Sequence, residues 1–258
     1  MEKLIVIDGN SLANRAFYGV PILSNSKGVI VNAVYGFANM LMNLLAQEQP
    51  NYIAVAFDIS RKVFRHEQYT DYKAQRKGMP DELRSQMPLI KEVLRKMNIA
   101  IFELEGYEGD DIIGTMVRWA QKEGMESIIV TGDKDNLQLV NGQTRVFMTK
   151  KGLSEIAIYD EKALADEYQL VPDQIRDLKG LMGDASDNIP GVPGIGEKTA
   201  LKLLHEYHSI EALYEHLEDF AGKKMGEKLA ANHEQALMSK ELATIYCDVP
   251  IEFSAEVM

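Results

Sequence analysis

The stretch Leu4-Ile5-Val6-Ile7-Asp8 decides the fold, because four consecutive apolar residues run directly into a carboxylate. Two later stretches repeat this pattern: residues 52–57 run into Asp58, and residues 127–131 run into Gly132 and Asp133. Short, continuously apolar runs rich in Ile and Val are typical of strands buried on both faces of a parallel sheet. The sequence therefore predicts at least three parallel strands whose carboxyl ends carry acids.

Segments with helical periodicity lie between these strands, at residues 33–47, 81–97 and 110–122. Alternating strands and helices predict βαβ units, and hence an α/β fold with a doubly wound sheet. After residue 143 the pattern changes to a short strand pair, 145–148 and 155–159. Helical segments follow it at 161–168, 172–182, 197–207, 210–217 and 234–247. We expect a core domain at 1–171 and a helical subdomain at 172–258.

Composition excludes several classes of protein. Of the 258 residues, 46% are hydrophobic, which is enough for a sizeable core, and the single cysteine cannot form an internal disulfide. Five scattered histidines make a zinc site a poor interpretation. No run approaches the roughly 18 apolar residues of a membrane helix, so we expect a soluble protein in the reducing cytoplasm. The net charge of −11 argues, at face value, against a nucleic-acid partner.

One segment departs from this acidic balance. Residues 61–96 hold ten Lys or Arg and five Asp or Glu, a local charge of +5, with aromatic rings interleaved. Such a mixture suits single-stranded nucleic acid, because cations follow the phosphates while rings stack on bases. Residues 60–80 are too long and polar for a plain connector, which indicates a functional loop or arch. Residues 91–96 fit an ordinary amphipathic helix equally well.

The acids are the sharpest feature of the sequence. Parallel strands present their carboxyl ends at one sheet edge, where ligands collect. Several carboxylates at that edge would repel each other unless a cation lay among them. Oxygen ligands favour Mg²⁺ or Mn²⁺, and more acids than one ion needs indicate two ions. Nine acids could converge there: Asp8, Asp58, Glu108, Asp110, Asp111, Asp133, Asp135, Asp184 and Asp187.

A glycine-rich turn, Gly191-Val192-Pro193-Gly194-Ile195-Gly196, precedes a predicted helix that contains Lys198. Exposed N–H groups and a helix N-terminus make this turn a candidate phosphate site. It is not a nucleotide-binding P-loop, because Glu197 stands where the lysine must follow the glycine. A plain connection between two helices remains the alternative.

These residues together resemble the 5′ nuclease (flap endonuclease) superfamily, and within it the 5′→3′ exonuclease domains of bacterial DNA polymerase I. The resemblance spans nearly the whole chain. It rests on Ile7-Asp8-Gly9-Asn10-Ser11, Ala33-Val34-Tyr35-Gly36-Phe37, Val55-Ala56-Phe57-Asp58, Tyr72-Lys73-Ala74-Gln75-Arg76, residues 107–115, Gly132-Asp133-Lys134-Asp135 and residues 181–200.

The resemblance implies a PIN-like parallel-sheet nuclease core, a helical arch over residues 60–97 and a helix–three-turn–helix subdomain of the helix-hairpin-helix type. It implies a first metal cluster of Asp8, Asp58, Glu108, Asp110 and Asp111, and a second of Asp133, Asp135, Asp184 and Asp187, with Asp58 and Asp111 also catalytic. It makes Lys73 and Arg76 catalytic arch cations and Tyr72 a base-stacking ring. The implied DNA-binding residues are Arg15, Tyr72, Lys73, Arg76, Gly191, Gly194, Gly196 and Lys198, and the turn would also bind K⁺.

The function that the resemblance implies is Mg²⁺- or Mn²⁺-dependent hydrolysis of DNA, and of RNA primers, at 5′ ends, flaps and nicks. We expect a nucleoid-associated bacterial monomer with a link to a DNA polymerase. The family usually has Ala at Gly109, an apolar residue at Asn136 and an aromatic residue at Asn14, but none of these departures removes a carboxylate. Two alternatives remain, a non-catalytic DNA-binding module of the same fold and a PIN-type ribonuclease.

Overall fold

The computed structural model describes residues 1–59, 62–150 and 155–254. Ser60 and Arg61, at the start of the predicted arch, lie outside the described residues. The described chain divides into two compact units. The first unit contains Met1–Val63, Gly78–Asp160 and Tyr246–Met258; the second contains Phe64–Lys77 and Glu161–Ile245. The predicted division at 171/172 stays a prediction.

A six-stranded sheet forms the centre of the first unit. Its strands are β1 Lys3–Asp8, β2 Tyr52–Ala56, β3 Ala100–Phe102, β4 Glu126–Thr131, β5 Thr144–Thr149 and β6 Ile156–Tyr159. Their order across the sheet is β3-β2-β1-β4-β5-β6, and every neighbouring pair is parallel except β5 and β6. Residues of the central strands, such as Leu4–Ile7, have no exposed surface, which is why they are apolar without alternation.

Helices cover the sheet because each presents one apolar face to it. Those of the first unit are α1 Gly9–Gly19, α2 Asn32–Glu48, α4 Asp81–Arg84, α5 Met87–Lys96 and α6 Gly109–Lys122, with a 3-10 helix at Lys134–Leu139. Phe37 and Leu41 of α2, with Ile90 and Leu94 of α5, lie in one hydrophobic cluster with side chains of β1 and β2. The core of this unit therefore lies between the sheet and these helices.

The second unit is helical. Its helices are α3 Arg65–Gln68, α7 Glu161–Tyr168, α8 Gln174–Met182, α9 Glu197–Tyr207, α10 Ile210–Glu215, α11 Lys224–Ala231 and α12 His233–Ala243. The Asp184–Ile189 turn and the glycine-rich turn connect α8 to α9, and Leu181, Leu204 and Ile210 are fully buried in the core. No helix among the described residues is long and apolar enough to cross a membrane.

One sequence prediction needs correction. The strand pair after residue 143 does not begin a new pattern, because β5 pairs with β4 and extends the same sheet. The arch predicted over 60–97 stays a prediction, and its described residues divide between the two units. Residues 64–77 belong to the second unit, whereas α5 carries fully buried Ile90 and Leu94 and is a core helix. Helix α5 therefore packs into the core through its apolar face, and its exposed cations lie on the opposite, solvent-facing side.

Candidate active site

The three central parallel strands bring their acids to one edge of the sheet. Strand β1 ends at Asp8, and β2 and β4 end two residues before Asp58 and Asp133. Because β1 lies between β2 and β4 and is parallel to both, these three carboxylates share the carboxyl edge. This juxtaposition is the one predicted from the strand-end pattern.

Asp8 is held by donors on both oxygens. Its Oδ1 accepts the Ser11 backbone N–H at 2.9 Å, so that Asp8 caps α1, and its Oδ2 accepts the Thr131 hydroxyl at 2.8 Å. Burial raises the pKa of Asp8 to about 7, assisted by the negative charges of Asp58 and Asp133 and opposed by the two hydrogen bonds. Asp8 thus lies within electrostatic reach of two other acids.

Asp110 lies in the first turn of α6 and points to the same acids. Burial, followed by the charges of Asp8 and Asp133, raises the pKa of Asp110 well above its usual range. The Asn136 side-chain amide donates to Asp110 Oδ1 at 2.8 Å and opposes that rise. Asn136 is fully buried, so it is a polar partner placed inside the protein for this carboxylate.

Asp58 is tied to the start of α6. Its Oδ1 accepts the Gly109 backbone N–H at 2.6 Å, and its own N–H donates to Asn10 Oδ1 at 3.1 Å. A Cβ atom at Gly109 would lie 3.3 Å from Asp58 Oδ1, which is tight. The glycine therefore lets the helix start approach the carboxylate closely.

The remaining predicted ligands of this unit have structural bonds as well. Asp133 Oδ1 accepts the Asp135 N–H at 3.0 Å and caps the 3-10 helix. Glu108 is the N-cap of α6 and forms a reciprocal capping box with Asp111. Asp111 is fully buried, and its two oxygens accept the backbone N–H groups of Glu108 and Tyr246 at 3.1 and 2.9 Å.

The donor set fits a hard divalent cation. The charges of Asp58 and Asp133 raise the pKa of both Asp8 and Asp110, which means that these carboxylates lie close enough to repel. Oxygen donors of this kind suit Mg²⁺ or Mn²⁺. In the part of the chain that the structure describes, no three His, Cys, Asp or Glu side chains surround a common point as a finished metal site does.

Asp184 and Asp187 lie in the second unit, where cations pair with them. Arg76 Nη2 contacts Asp187 Oδ1 at 2.6 Å, and Lys73 Nζ contacts Asp187 Oδ2 at 3.5 Å. Lys179 forms an ion pair with Asp184. Burial opposes ionisation, yet hydrogen bonds from Lys179 and Ser186 lower the pKa of Asp184 to about 2. Both predicted arch cations thus share one predicted metal ligand.

The base-stacking role that the resemblance implies for Tyr72 stays a prediction, and the ring is buried in this structure. Tyr72 is only 3% exposed. Its ring lies edge-on to His66, with centroids 5.6 Å apart, and its hydroxyl donates to Asp187 at 3.4 Å. The segment around it docks on the 184–189 turn, since the Lys73 N–H donates to the Asp187 carbonyl at 2.8 Å. The Tyr72–Asp187 contact joins residues 115 apart in sequence, so no local sequence pattern predicts it.

The glycine-rich turn needs its glycines. Gly191 and Gly194 have φ of +59° and +79°, in the left-handed region that glycine favours. A Cβ at Gly194 would lie 2.5 Å from Lys228 Nζ, so the ammonium lies directly over the turn. Gly196 is the N-cap of α9, and Lys198 is exposed in its first turn.

Two family models match the chain, the N-terminal resolvase-like domain of 5′-3′ exonucleases over residues 3–169 and their C-terminal SAM fold over residues 170–258. The chain belongs to the 5′-3′ exonuclease family. The resemblance predicted from the sequence motifs is therefore confirmed, as is the α/β fold class with its helical second part.

Among curated relatives of this chain, DNA polymerase I of Bacillus subtilis (strain 168) is 52% identical over 253 residues, 98% of this chain and 29% of the polymerase. DNA polymerase I of Geobacillus stearothermophilus is 49% identical over 255 residues, 99% of this chain and 29% of the polymerase. The chain thus spans 29% of the length of these relatives.

Solved structures share the fold of this chain. Zinc-bound T5 5′-exonuclease has a TM-score of 0.78 at 23% identity, covering 95% of this chain and 90% of that chain. The catalytic core of Rad2 in complex with DNA substrate has a TM-score of 0.61 at 15% identity, covering 98% of this chain and 80% of that chain. At these identities the matches support the fold alone.

The structure also shows contacts of Asn136, Lys228 and Arg15 that no sequence pattern predicted. In the sequence, Asn136 is only a departure from the family pattern. Its position directly after Asp135 was nevertheless a signal that it lies beside the acids. Lys228 was not considered, although residues 223–228 contain three lysines. Arg15 Nη2 donates to the Thr149 carbonyl at 2.8 Å, so it anchors α1 to β5, and its DNA-binding role stays a prediction.

Proposed function

We propose that the chain is a 5′→3′ exonuclease and 5′-flap endonuclease that hydrolyses DNA phosphodiester bonds, and those of RNA primers annealed to DNA. The observation that carries the proposal is the cluster of Asp8, Asp58, Asp110 and Asp133, in which burial and repulsion raise the pKa of Asp8 and Asp110. Groups with perturbed pKa values that meet at the carboxyl edge of a parallel sheet are typical of a functional site.

These carboxylates, with Glu108 and Asp135, are the proposed holders of Mg²⁺ or Mn²⁺. Divalent ions bound there supply two things, an activated water molecule and stabilisation of the charge that develops on the phosphate. Asp184 and Asp187 as ligands of a second ion remain part of the proposal, as does K⁺ at the glycine-rich turn.

The chain's own residues have further roles. Thr131 and Ser11 orient Asp8, and Asn136 orients Asp110, so both carboxylates face the sheet edge. Lys73 and Arg76 supply positive charge to a phosphate when they leave Asp187.

The glycine-rich turn, with Lys198 and Lys228, has the character of a duplex backbone site, since the N-terminus of α9 and the ammonium groups attract phosphates. We place the activity in replication and repair in the bacterial cytoplasm at the nucleoid, next to a polymerase. The support for the polymerase link is the relatives, which are DNA polymerases I.

The test is cleavage of a 5′-flap duplex in Mg²⁺ by Asp110→Asn, with Asp81→Asn as a matched control. Asp81→Asn removes the same charge, but the Asp81 side chain is 89% exposed and pairs with Arg84 on the surface of α4. We expect Asp110→Asn to lose at least about a hundredfold in kcat and Asp81→Asn to keep it. Folded Asp110→Asn that cleaves at the native rate would contradict the proposal, and DNA binding without cleavage by the unmodified chain would favour the non-catalytic module.

A further inference from the structure

The segment Tyr246–Phe253, called the strap here, lies along one face of α6. The Tyr246 N–H donates to Asp111 Oδ1 at 2.9 Å, and the Val249 N–H donates to Thr115 Oγ1 at 3.0 Å. At its far end the Phe253 ring contacts the Trp119 ring, with centroids 6.4 Å apart. Residues 111, 115 and 119 are spaced by four, so they form a single row on the helix.

Asp111 is the first anchor of this row, and its environment is that of a structural acceptor. It is fully buried, and each of its oxygens faces a backbone N–H group: Oδ1 that of Tyr246 and Oδ2 that of Glu108. The Glu108 side chain in turn accepts from the Asp111 backbone, which closes the capping box. Charged acceptors of backbone N–H groups form strong hydrogen bonds, so these two bonds fix the start of α6 firmly.

Asp110, the neighbour of Asp111, behaves differently. Its Oδ1 accepts the side-chain amide of Asn136, in the 3-10 helix that follows β4, at 2.8 Å, so it points to the carboxyl edge of the sheet. Adjacent residues on a helix point about 100° apart, so Asp110 and Asp111 cannot face the same ion in the same way. The helix start therefore presents one carboxylate to the cluster and uses the next to fix itself.

We propose that Asp111 is a positioning residue, which fastens the strap to the start of α6 and so fixes Glu108 and Asp110, and that it is not a metal ligand. The proposal rests on the proposed function, because it assigns Glu108 and Asp110 to metal binding. It changes the role that the family resemblance implies for Asp111, which is a ligand of the first metal cluster.

The test compares Asp111→Asn with Asp110→Asn. First, amide hydrogen exchange is measured without metal. The asparagine introduced at position 111 retains one oxygen, so we expect the Tyr246 or the Glu108 amide to exchange at least about fivefold faster in Asp111→Asn and both to stay protected in Asp110→Asn. Second, Mn²⁺ binding is measured by calorimetry. We expect Asp110→Asn to raise Kd at least about tenfold and Asp111→Asn to raise it less than about threefold.

Flap cleavage at saturating Mn²⁺, per folded molecule, gives the third readout, where we expect Asp111→Asn to lose about tenfold in kcat. If Asp111 acted in folding alone, the kcat of folded Asp111→Asn would be unchanged. That result would overturn the proposal. So would an Asp111→Asn variant whose Mn²⁺ Kd rises as much as that of Asp110→Asn. Unchanged Mn²⁺ binding in Asp110→Asn would instead contradict the proposed function.

Tyr246→Pro provides a second variant if Asp111→Asn does not fold. It removes the N–H donor and leaves the carboxylate in place, and residues 245–249 are outside any helix or strand, where proline is tolerated. We expect a lower kcat with Mn²⁺ Kd within about threefold of that of the unmodified chain. A folded Tyr246→Pro with unchanged kcat would overturn the role of the strap.

Discussion

Asn136 shows how one buried amide can adjust the pKa of a buried carboxylate. Its Nδ2 donates to Asp110, whereas its own Oδ1 is buried without a hydrogen-bond partner among the described residues. Asn136→Leu loses a bond to a charged acceptor but also removes an unsatisfied oxygen, so we expect a stability change within about 1 kcal/mol. The lost donor should raise the pKa of Asp110 further.

We therefore expect the rising limb of the pH–rate profile of Asn136→Leu to move to higher pH, because Asp110 must be ionised to bind a cation. The measurement is kcat/KM for flap cleavage from about pH 5 to 9, the range in which perturbed carboxyl groups titrate. Asn43→Leu, an exposed position on α2, is the control and should keep the native profile. An unmoved limb in Asn136→Leu would show that this hydrogen bond does not control Asp110.

At the scale of elements, the turn between α8 and α9 depends on Gly191. Its φ of +59° disfavours any side chain, and a Cβ there would overlap the backbone of Met182 and Gly183. We expect Gly191→Ala to lower the free energy of unfolding by about 3 kcal/mol, from left-handed strain and overpacking together. Gly142→Ala, where a Cβ meets nothing within 4 Å, should change it by less than about 1 kcal/mol in the same urea titrations. Equal stability of the two variants would contradict this account.

Helix α11 contributes Lys228 to the same turn. If the turn binds a duplex backbone, Lys228→Ala should weaken duplex binding for all sequences alike and reduce the salt slope of log K by about 0.9. Fluorescence anisotropy between roughly 50 and 200 mM salt, the range over which counterion release is read, measures this. Lys162→Ala, whose side chain is 82% exposed on α7, is the control. If Lys228→Ala kept the native salt slope of log K, Lys228 would not be part of the duplex interface.

Strands with continuous apolar sequence and long helices were predictable, but short or weakly patterned elements were not. The three-residue strand β3 has too few residues for a periodic signal, and α1 begins with Gly9 and Asn10, which are poor helix formers. At the site, the strand ends predicted Asp8, Asp58 and Asp133 correctly as neighbours. The Asp111–Tyr246 bond joins residues 135 apart in sequence, and such a contact has no local pattern.

At the scale of the whole molecule, the buried acids make stability depend on pH and on divalent ions. The pKa of Asp8 is about 7 in the folded chain and near 3.8 when unfolded. Between these values the folded state binds more protons, so the free energy of unfolding should fall as pH rises from about 4 to 7. The lowered pKa of Asp184 acts in the opposite direction, since its stabilisation is lost as pH falls from about 4 towards 2.

Urea titrations at about pH 4.5, 6 and 7.5, chosen to span the window set by Asp8, would measure this slope. We expect Asp8→Asn to flatten it and Mn²⁺ to stabilise the chain most at the highest pH, where the carboxylates are ionised. Asp81→Asn should retain the native slope. A stabilisation by Mn²⁺ that does not change with pH would contradict binding at these acids.

The net charge of −11 is compatible with a nucleic-acid partner once its distribution is considered. Several acids of the first unit are proposed metal holders, and bound divalent ions would offset part of their charge. Exposed cations on other surfaces, Lys198 among them, remain available to phosphates. Total charge alone was too coarse a measure to exclude a DNA substrate.

The strap gives the molecule a particular order of assembly. Residues 246–253 complete the first unit, although the whole helical unit is translated before them. On the ribosome, the hydrogen bond from the Tyr246 N–H to Asp111 at the start of α6 therefore cannot form until residue 246 has been synthesised. A nascent chain would lack this fixing of its acid edge while the helical unit is made, so the proposed nuclease activity would arise only after the proposed DNA-binding turn exists.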